Sequence, residues 1–273
     1  MALPPPSPDG TCVVTGASSG IGADIARQLA GRGLGVTLVA RREDRLRALA
    51  DEVAKAHGVR AEVVAADLTD DTSREALAKE VGNRGLTVDV LVNNAGFSTT
   101  GAVARADAAR EVAMVRTNVE AVVHLCTLFL PGMVARNRGA VLNVASTAAF
   151  QPLPGQSGYA ASKSFVLSYS QGLQGELRGS AVTVTALCPG PVETEFADAA
   201  GFAPDEAEGS LPKFMWEPAD EVARAAVDGM AKGRPIVIPG VANKIGARLA
   251  WMAPRSILLP ILSRSHPALK RTR

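Results

Sequence analysis

The stretch Thr11-Cys-Val-Val-Thr-Gly-Ala-Ser-Ser-Gly-Ile-Gly22 decides how the rest of this 273-residue chain is read. Thr11–Thr15 is short, apolar and β-branched, as a buried strand should be. It runs into a turn with glycines at 16, 20 and 22, and a helix-like stretch follows, Gly20–Arg32. Glycines at such a turn allow a tight bend, close approach of a phosphate and close helix–strand contact. The helix N-terminus then offers unpaired N–H groups and the positive end of its dipole to an anion. Gly16, Ser18, Ser19, Gly20, Ile21 and Gly22 are therefore candidate phosphate-binding positions. The spacing is G-x-x-x-G-x-G rather than the G-x-G-x-x-G of the general dinucleotide fingerprint, and a glycine turn without a ligand would look similar.

Outward from this turn the same alternation recurs. Further strands are expected at Gly35–Val39, Ala61–Ala65, Val88–Val92, Ala140–Val144, Val182–Leu187 and Pro235–Ile238. Helices are expected at Arg42–Ala56, Asp71–Gly82, Asp107–Arg136, Ser157–Arg178 and Glu217–Ala231, the last with Pro218 in its first turn. Such alternation implies right-handed βαβ units, hence an α/β fold with a doubly wound parallel sheet of about seven strands and helices on both faces. The expected organisation is a flexible Pro-rich N-terminus (1–10), one domain over 11–240 and a basic extension over 241–273. Phe196–Lys213 lacks a strong period and reads as a long loop or short helices.

Composition sets further bounds. Hydrophobic residues make up 47% of the chain and charged residues 21%, an ordinary globular balance. Aromatics are only 4%, so the core must be built from Val, Leu, Ile and Ala. Lys244–Arg273 holds seven basic residues and no acidic one; the preceding 243 residues carry 22 basic against 27 acidic. The body is thus mildly acidic and the tail basic. Cys12, Cys126 and Cys188 are widely spaced in apolar segments and read as reduced core residues, with no metal-ligand spacing. His57, His124 and His266 are far apart and read as surface or core residues. The N-terminus lacks the features of a secretory signal, and no run of roughly 18 apolar residues is evident. A soluble cytoplasmic protein is expected, and the acidic body argues against nucleic-acid binding.

The second strand ends in Ala40-Arg41-Arg42, with Arg41 nineteen residues after Gly22. That is where an acidic residue binds the ribose 2′-OH of NAD. Guanidinium groups there would instead attract a 2′-phosphate, which favours NADP(H) over NAD(H). Asp67-Leu68 after the third strand could receive an adenine amino group or simply cap the next turn. Asn93-Asn94-Ala95-Gly96 lies at the carboxyl end of the fourth strand, where open α/β sheets bind ligands. Tyr159 and Lys163 are spaced i, i+4 and share a helix face. A nearby ammonium favours phenolate, which would suit the tyrosine for general acid/base work.

The glycine turn, N-N-A-G, Asn118, Ser146, Y-x-x-x-K and Pro189-Gly190 occur in one order. Together they closely resemble the classical short-chain dehydrogenase/reductase family, over roughly Thr11 to Ile238. The resemblance implies a Rossmann-type domain and a reaction transferring hydride between nicotinamide and a ketone, aldehyde or secondary alcohol. It makes Tyr159 the acid/base and Lys163 the group that binds the nicotinamide ribose and lowers the Tyr159 pKa. Ser146 would bind the substrate oxygen, and Asn118 would hold a water of the proton relay. Gly16, Ser18, Ile21, Arg41, Asp67, Asn94 and Lys163 match cofactor-contacting positions; Val192 and Thr194, after Pro189-Gly190, would fix the carboxamide. No metal is implied. The alternative is a non-catalytic NADP(H)-binding sensor or scaffold of the same fold.

The substrate is expected to be a hydrophobic small molecule, because Phe196, Phe202, Leu211, Phe214, Met215 and Trp216 lie in or beside the long loop. By resemblance, helices Asp107–Arg136 and Ser157–Arg178 imply a homodimer or homotetramer. In the tail, Pro254 and Pro260 should prevent one long helix. Two short amphipathic segments could then rest on an anionic membrane surface, or pack on their own domain or a partner subunit.

Overall fold

The computed structural model describes residues 3–196, 200, 212–265 and 269. Its seven strands are β1 (Gly10–Thr15), β2 (Gly35–Ala40), β3 (Ala61–Ala65), β4 (Thr87–Asn93), β5 (Gly139–Val144), β6 (Val182–Leu187) and β7 (Ile236–Val237). They form one sheet in the order β3-β2-β1-β4-β5-β6-β7, every pairing parallel. The helices are α1 (Gly20–Ala30), α2 (Glu43–His57), α3 (Asp71–Asn83), α4 (Ala108–Val115), α5 (Ala121–Ala135), α6 (Ser157–Glu176), α7 (Ala219–Ala231), α8 (Val241–Met252) and α9 (Arg255–Ser265). This is the doubly wound architecture expected, and strand order reverses between β1 and β4. At that switch point the connections diverge and leave a crevice beyond the strand ends.

Alternation along the strands builds a core on each face. Cys12 and Val14 point with Ile25, Leu29, Leu46 and Val227 towards the α1–α2–α7 layer. Val13 points the other way, with Leu77, Leu125, Phe129 and Val166 of the α3–α5–α6 layer. Burying each large aliphatic side chain contributes about 1.5–3 kcal/mol, so a sheet covered on both sides needs few aromatics. All three cysteines are free and buried. Burial pushes the Cys126 and Cys188 thiols up to about 12, which keeps them protonated and inert.

Several expectations need correction. Most boundaries shift by one or two residues. Pro218 occupies the N-cap of α7, one position before the helix, and β7 keeps only Ile236–Val237. The long helix at 107–136 is interrupted by a π turn, Arg116–Glu120. Ala108–Ala135 is also long and apolar enough to cross a membrane by length and composition, contrary to the reading from runs alone. Met114, Leu125, Phe129 and Met133 are buried in this fold, as in a core helix.

Residues 3–9 make contacts with the body of the domain. Arg138 donates to the Pro5 carbonyl at 2.6 Å, Thr87 N–H donates to the Asp9 carbonyl at 2.7 Å, and Leu3 packs on the core. Pro254 separates α8 from α9, but Pro260 sits inside α9, so among the described residues only Pro254 breaks the tail. Much of Phe196–Lys213, including Phe202 and Leu211, lies outside the described residues, as do His266 and the final basic residues.

Candidate active site

At the switch point, β1 and β4 are clasped by side chains. Thr15 Oγ1 donates to the Val92 carbonyl at 3.0 Å and accepts from Asn94 N–H at 2.9 Å and Ala95 N–H at 3.1 Å. Asn94 Nδ2 donates back to the carbonyls of Thr15, at 2.9 Å, and Gly16, at 3.3 Å. This reciprocal clasp fixes the glycine turn against the N-N-A-G segment. Gly16 has φ +67°, and a Cβ there would lie 2.8 Å from Asn94 Nδ2. At Gly22 a Cβ would meet Asn94 Nδ2 at 2.3 Å and the Gly16 carbonyl oxygen at 2.4 Å. Only glycine fits at either place. Ser19, the N-cap of α1, makes no side-chain cap bond, so the first-turn N–H groups are left for a ligand.

An open cleft of about 1160 Å³ extends from this turn. Gly16, Ser18, Ser19, Gly20, Ile21, Gly22, Arg41, Arg42, Asp67, Leu68, Asn94, Ala95, Gly96, Ser146, Tyr159, Lys163, Pro189, Gly190, Val192 and Thr194 all line it. Residues drawn from across the chain thus share one crevice. Its glycine cradle, open helix N-terminus and basic rim fit a dinucleotide. Among the described residues no group of His, Cys, Asp and Glu could hold a metal.

The end of the cleft beside Arg41 and Arg42 is more crowded than the sequence suggested. Arg42 reaches back over the glycine turn to Ser18 Oγ at 3.1 Å and Ser19 Oγ at 2.7 Å. It also pairs with Glu195 at 2.8 Å, and Arg45 grips the same carboxylate at 2.8 and 3.0 Å. Those two arginines, Arg42 first, hold the Glu195 carboxyl down to about 2. Arg41 lines the cleft beside them. Asp67 Oδ1 accepts from Thr69 N–H at 3.0 Å and Thr69 Oγ1 at 2.9 Å, forming a turn while the residue still faces the cleft.

The opposite end carries the reactive side chains. Ser146 leads from β5 into a short 3-10 turn, Thr147–Phe150, and its Oγ accepts from Ala148 N–H at 3.1 Å. Tyr159 and Lys163 project from α6, with the Lys163 Nζ 5.8 Å from the Tyr159 ring centroid and donating to the Val144 carbonyl at 2.8 Å. Burial pushes the Tyr159 phenol up to about 12, against a weaker downward pull from a hydrogen bond with Ser146. Burial also brings the Lys163 ammonium down to about 8. The lowering of the tyrosine by lysine is not found: burial is the largest influence on the phenol and Ser146 the opposing one, so in the protein alone Tyr159 is protonated. Phe196 lies over it, the rings 5.7 Å apart.

Asn118 does not line the cleft. It is buried in the π turn, where Nδ2 donates to the Phe97 carbonyl at 2.9 Å and Ser162 Oγ at 3.1 Å, and Oδ1 accepts from Phe97 N–H at 3.1 Å. A Cβ on Gly96 would fall 2.9 Å from Asn118 Oδ1 and 3.4 Å from Lys163 Nζ, so these three residues form one packed unit. At the last segment, Thr147 N–H donates to the Pro189 carbonyl at 2.8 Å, Val192 bridges to Glu217, and the Thr194 methyl closes on Gly20.

Sequence reasoning missed Thr15, Arg45, Glu195 and Arg74. Arg74, only 1% exposed, donates to the Leu68 carbonyl at 2.7 Å and His124 Nδ1 at 3.0 Å and pairs with Glu120, bracing the loop behind the cleft. An arginine within a polar helix sequence gives no local signal of such burial. Of the apolar loop residues, Phe196 and Trp216 line the cleft, whereas Phe214 faces solvent. The glycine cradle carries a test. Gly22→Ala is expected to weaken nicotinamide dinucleotide binding at least about tenfold, about 1.4 kcal/mol. Unchanged affinity by titration calorimetry would contradict it.

Comparison with known proteins agrees with this geometry. The family model described as short chain dehydrogenase matches residues 10–202. A short chain dehydrogenase of Pseudocercospora fijiensis is 37% identical over 199 residues, covering 72% of this chain and 62% of its own length. The short-chain dehydrogenase from Sphingobium yanoikuyae in complex with NADPH is 32% identical, with a TM-score of 0.79 over 95% of this chain and 97% of that one. A short chain dehydrogenase/reductase from Burkholderia phymatum in complex with NAD is 28% identical, with a TM-score of 0.78 over 89% and 93%. With its β1–β4 crevice lined by the glycine turn, Ser146, Tyr159 and Lys163, this chain belongs to the short-chain dehydrogenase/reductase family of oxidoreductases.

Proposed function

We propose that the protein is an NADP(H)-dependent oxidoreductase interconverting a ketone or aldehyde and the corresponding alcohol, with Tyr159 as the general acid/base. The observation that carries this reading is the placing of Tyr159, Ser146 and Lys163 on one wall of the cleft whose other end is the glycine cradle. A nicotinamide cofactor, when bound, supplies or accepts hydride at C4. The substrate oxygen is oriented by the hydroxyls of Ser146 and Tyr159. In reduction, Tyr159 gives its proton to that oxygen as hydride reaches the carbonyl carbon; in oxidation, it takes the alcohol proton back. The Lys163 ammonium steadies the resulting phenolate by charge. Asn118 acts as a positioning residue. Its amide is committed to the Phe97 backbone and Ser162, which ties α6 to the segment after β4.

The preference for NADP(H) rests on Arg41, Arg42 and Arg45 at the end where a 2′-phosphate would lie, although family members bind either cofactor. The 2′-phosphate would compete with Glu195 for Arg42 and Arg45. Phe97, Leu153, Phe196 and Trp216 line the cleft and suit an apolar carbonyl or alcohol substrate. A homo-oligomer is proposed through α4–α5 and α6, which expose Val112, Val115 and Phe165.

A panel of apolar ketones and aldehydes assayed with NADPH and with NADH tests the function. Faster turnover with NADPH is expected, and Arg41→Ala should erode that advantage. Tyr159→Phe should retain cofactor binding while losing about 100-fold or more in kcat. Tight NADPH binding without turnover of any carbonyl or alcohol would favour the sensor reading, and equal use of both cofactors would defeat the phosphate assignment. The pH profile provides another check. Tyr159, raised to about 12, stays protonated across the working range, whereas Lys163, lowered to about 8, loses its charge as pH rises through that value. Reductive kcat/KM should therefore be level below about pH 8 and fall above it. A flat profile well beyond pH 8 would contradict a role for the ammonium.

A further inference from the structure

The basic extension places an apolar stripe beside the mouth of the active-site cleft. Along α8, Val241, Ile245, Leu249 and Met252 recur at i, i+4, i+8 and i+11, which puts them on one helix face. They face solvent, Val241 at 73% and Met252 at 76% exposure. The opposite face carries Asn243 and Ala247, both buried, and Asn243 Nδ2 anchors the helix to the Met215 carbonyl at 3.0 Å. The helix is thus docked by its polar and small face, with its large apolar residues turned outward. Trp251, 70% exposed, flanks the stripe, and α9 adds Ile257 and Ile261, four residues apart on one exposed face. Arg255 ties the start of α9 to the Phe150 carbonyl at 3.3 Å, next to Ser146, and Leu262 lines the cleft itself.

Charge decides what covers this face. Lys244, Arg248, Arg255 and Arg264 are exposed around the stripe, and residues 241–264 contain no carboxylate. A second copy meeting the same face across a two-fold axis would bring two all-cationic segments together, because such a contact pairs a patch with itself. An anionic lipid surface instead complements the charges while receiving the apolar side chains. Tryptophan also suits the boundary between headgroups and acyl chains. We propose that α8 and α9 dock the protein on an anionic lipid bilayer, with the Val241–Ile245–Leu249–Met252 edge and Ile257 and Ile261 of α9 inserted at the interface. The cleft mouth, bordered by Leu262 and Trp216, then opens beside the lipid, where an apolar substrate is concentrated. This docking stands independently of cofactor preference and of the Tyr159 chemistry.

The test is cosedimentation of the full chain with vesicles of phosphatidylcholine alone or mixed with phosphatidylglycerol. Binding to the mixed vesicles is expected, weakened by salt, with each cation near the surface worth roughly a fivefold change in partition. Ile245→Glu and Leu249→Glu, both on exposed positions outside the cleft, should each reduce that binding at least about tenfold. Lys244→Glu with Arg248→Glu should abolish the preference for the anionic lipid. NADPH binding should be unchanged in all these variants, which separates a docking defect from unfolding. No binding to mixed vesicles, or equal binding to neutral ones, would overturn the proposal. So would a change of oligomeric state in the Ile245→Glu variant under analytical ultracentrifugation, which would assign the face to a second copy.

Discussion

The Thr15–Asn94 clasp is the constraint on which the site depends. Parallel strands β1 and β4 lie side by side, but their connections depart to opposite faces of the sheet, and nothing in the strand ladder itself shapes the crevice between them. Thr15 spans the gap with three hydrogen bonds, and Asn94 returns two to the carbonyls of the glycine turn. With the turn pinned, α1 can present its N-terminus to the cleft, and Gly16 and Gly22 are left no room for a side chain. The far end of the cleft is packed against the same segment, because Asn118 and Lys163 occupy the space that a side chain at Gly96 would need.

Burial sets the electrostatic state of the reactive groups. Tyr159 and Lys163 are adjacent, yet removal from water dominates both: the phenol is raised and the ammonium lowered, so each is driven towards its neutral form. Raised in this way, the phenol keeps its proton in the protein alone, and positive charge on Lys163 would ease its release. Its return to that state after giving up the proton requires a path to solvent. Asn118 sits within the π turn at Arg116–Glu120, where its amide binds Phe97 and Ser162 rather than lining the cleft.

The fold was legible from strand-by-strand alternation because a doubly covered parallel sheet writes its burial directly into short apolar runs. The ends of those runs also pointed to the cleft, since ligands of such sheets bind at the carboxyl edge. Partnerships formed across the sheet were not legible. Glu195 meets Arg42 and Arg45 from about 150 positions away, and buried Arg74 is partnered by His124, Glu120 and the Leu68 carbonyl, the first two about 50 positions away. Spacing places the Lys163 charge near Tyr159 but carries no sign of the burial that raises the phenol. Pro260 misled for a related reason: in α9 a proline interior to the helix is accommodated, whereas Pro254 does end α8.

The central claim is that hydride passes directly between a nicotinamide held in the cradle and a carbonyl carbon whose oxygen is protonated by Tyr159. Isotope transfer tests it most directly. With NADPH carrying deuterium at nicotinamide C4 and a ketone that the protein reduces, mass spectrometry of the alcohol should find the deuterium on the carbinol carbon, with none exchanged into water. The same label transfer should be nearly absent in Tyr159→Phe. Loss of the deuterium to solvent, or transfer undiminished in that variant, would contradict the account.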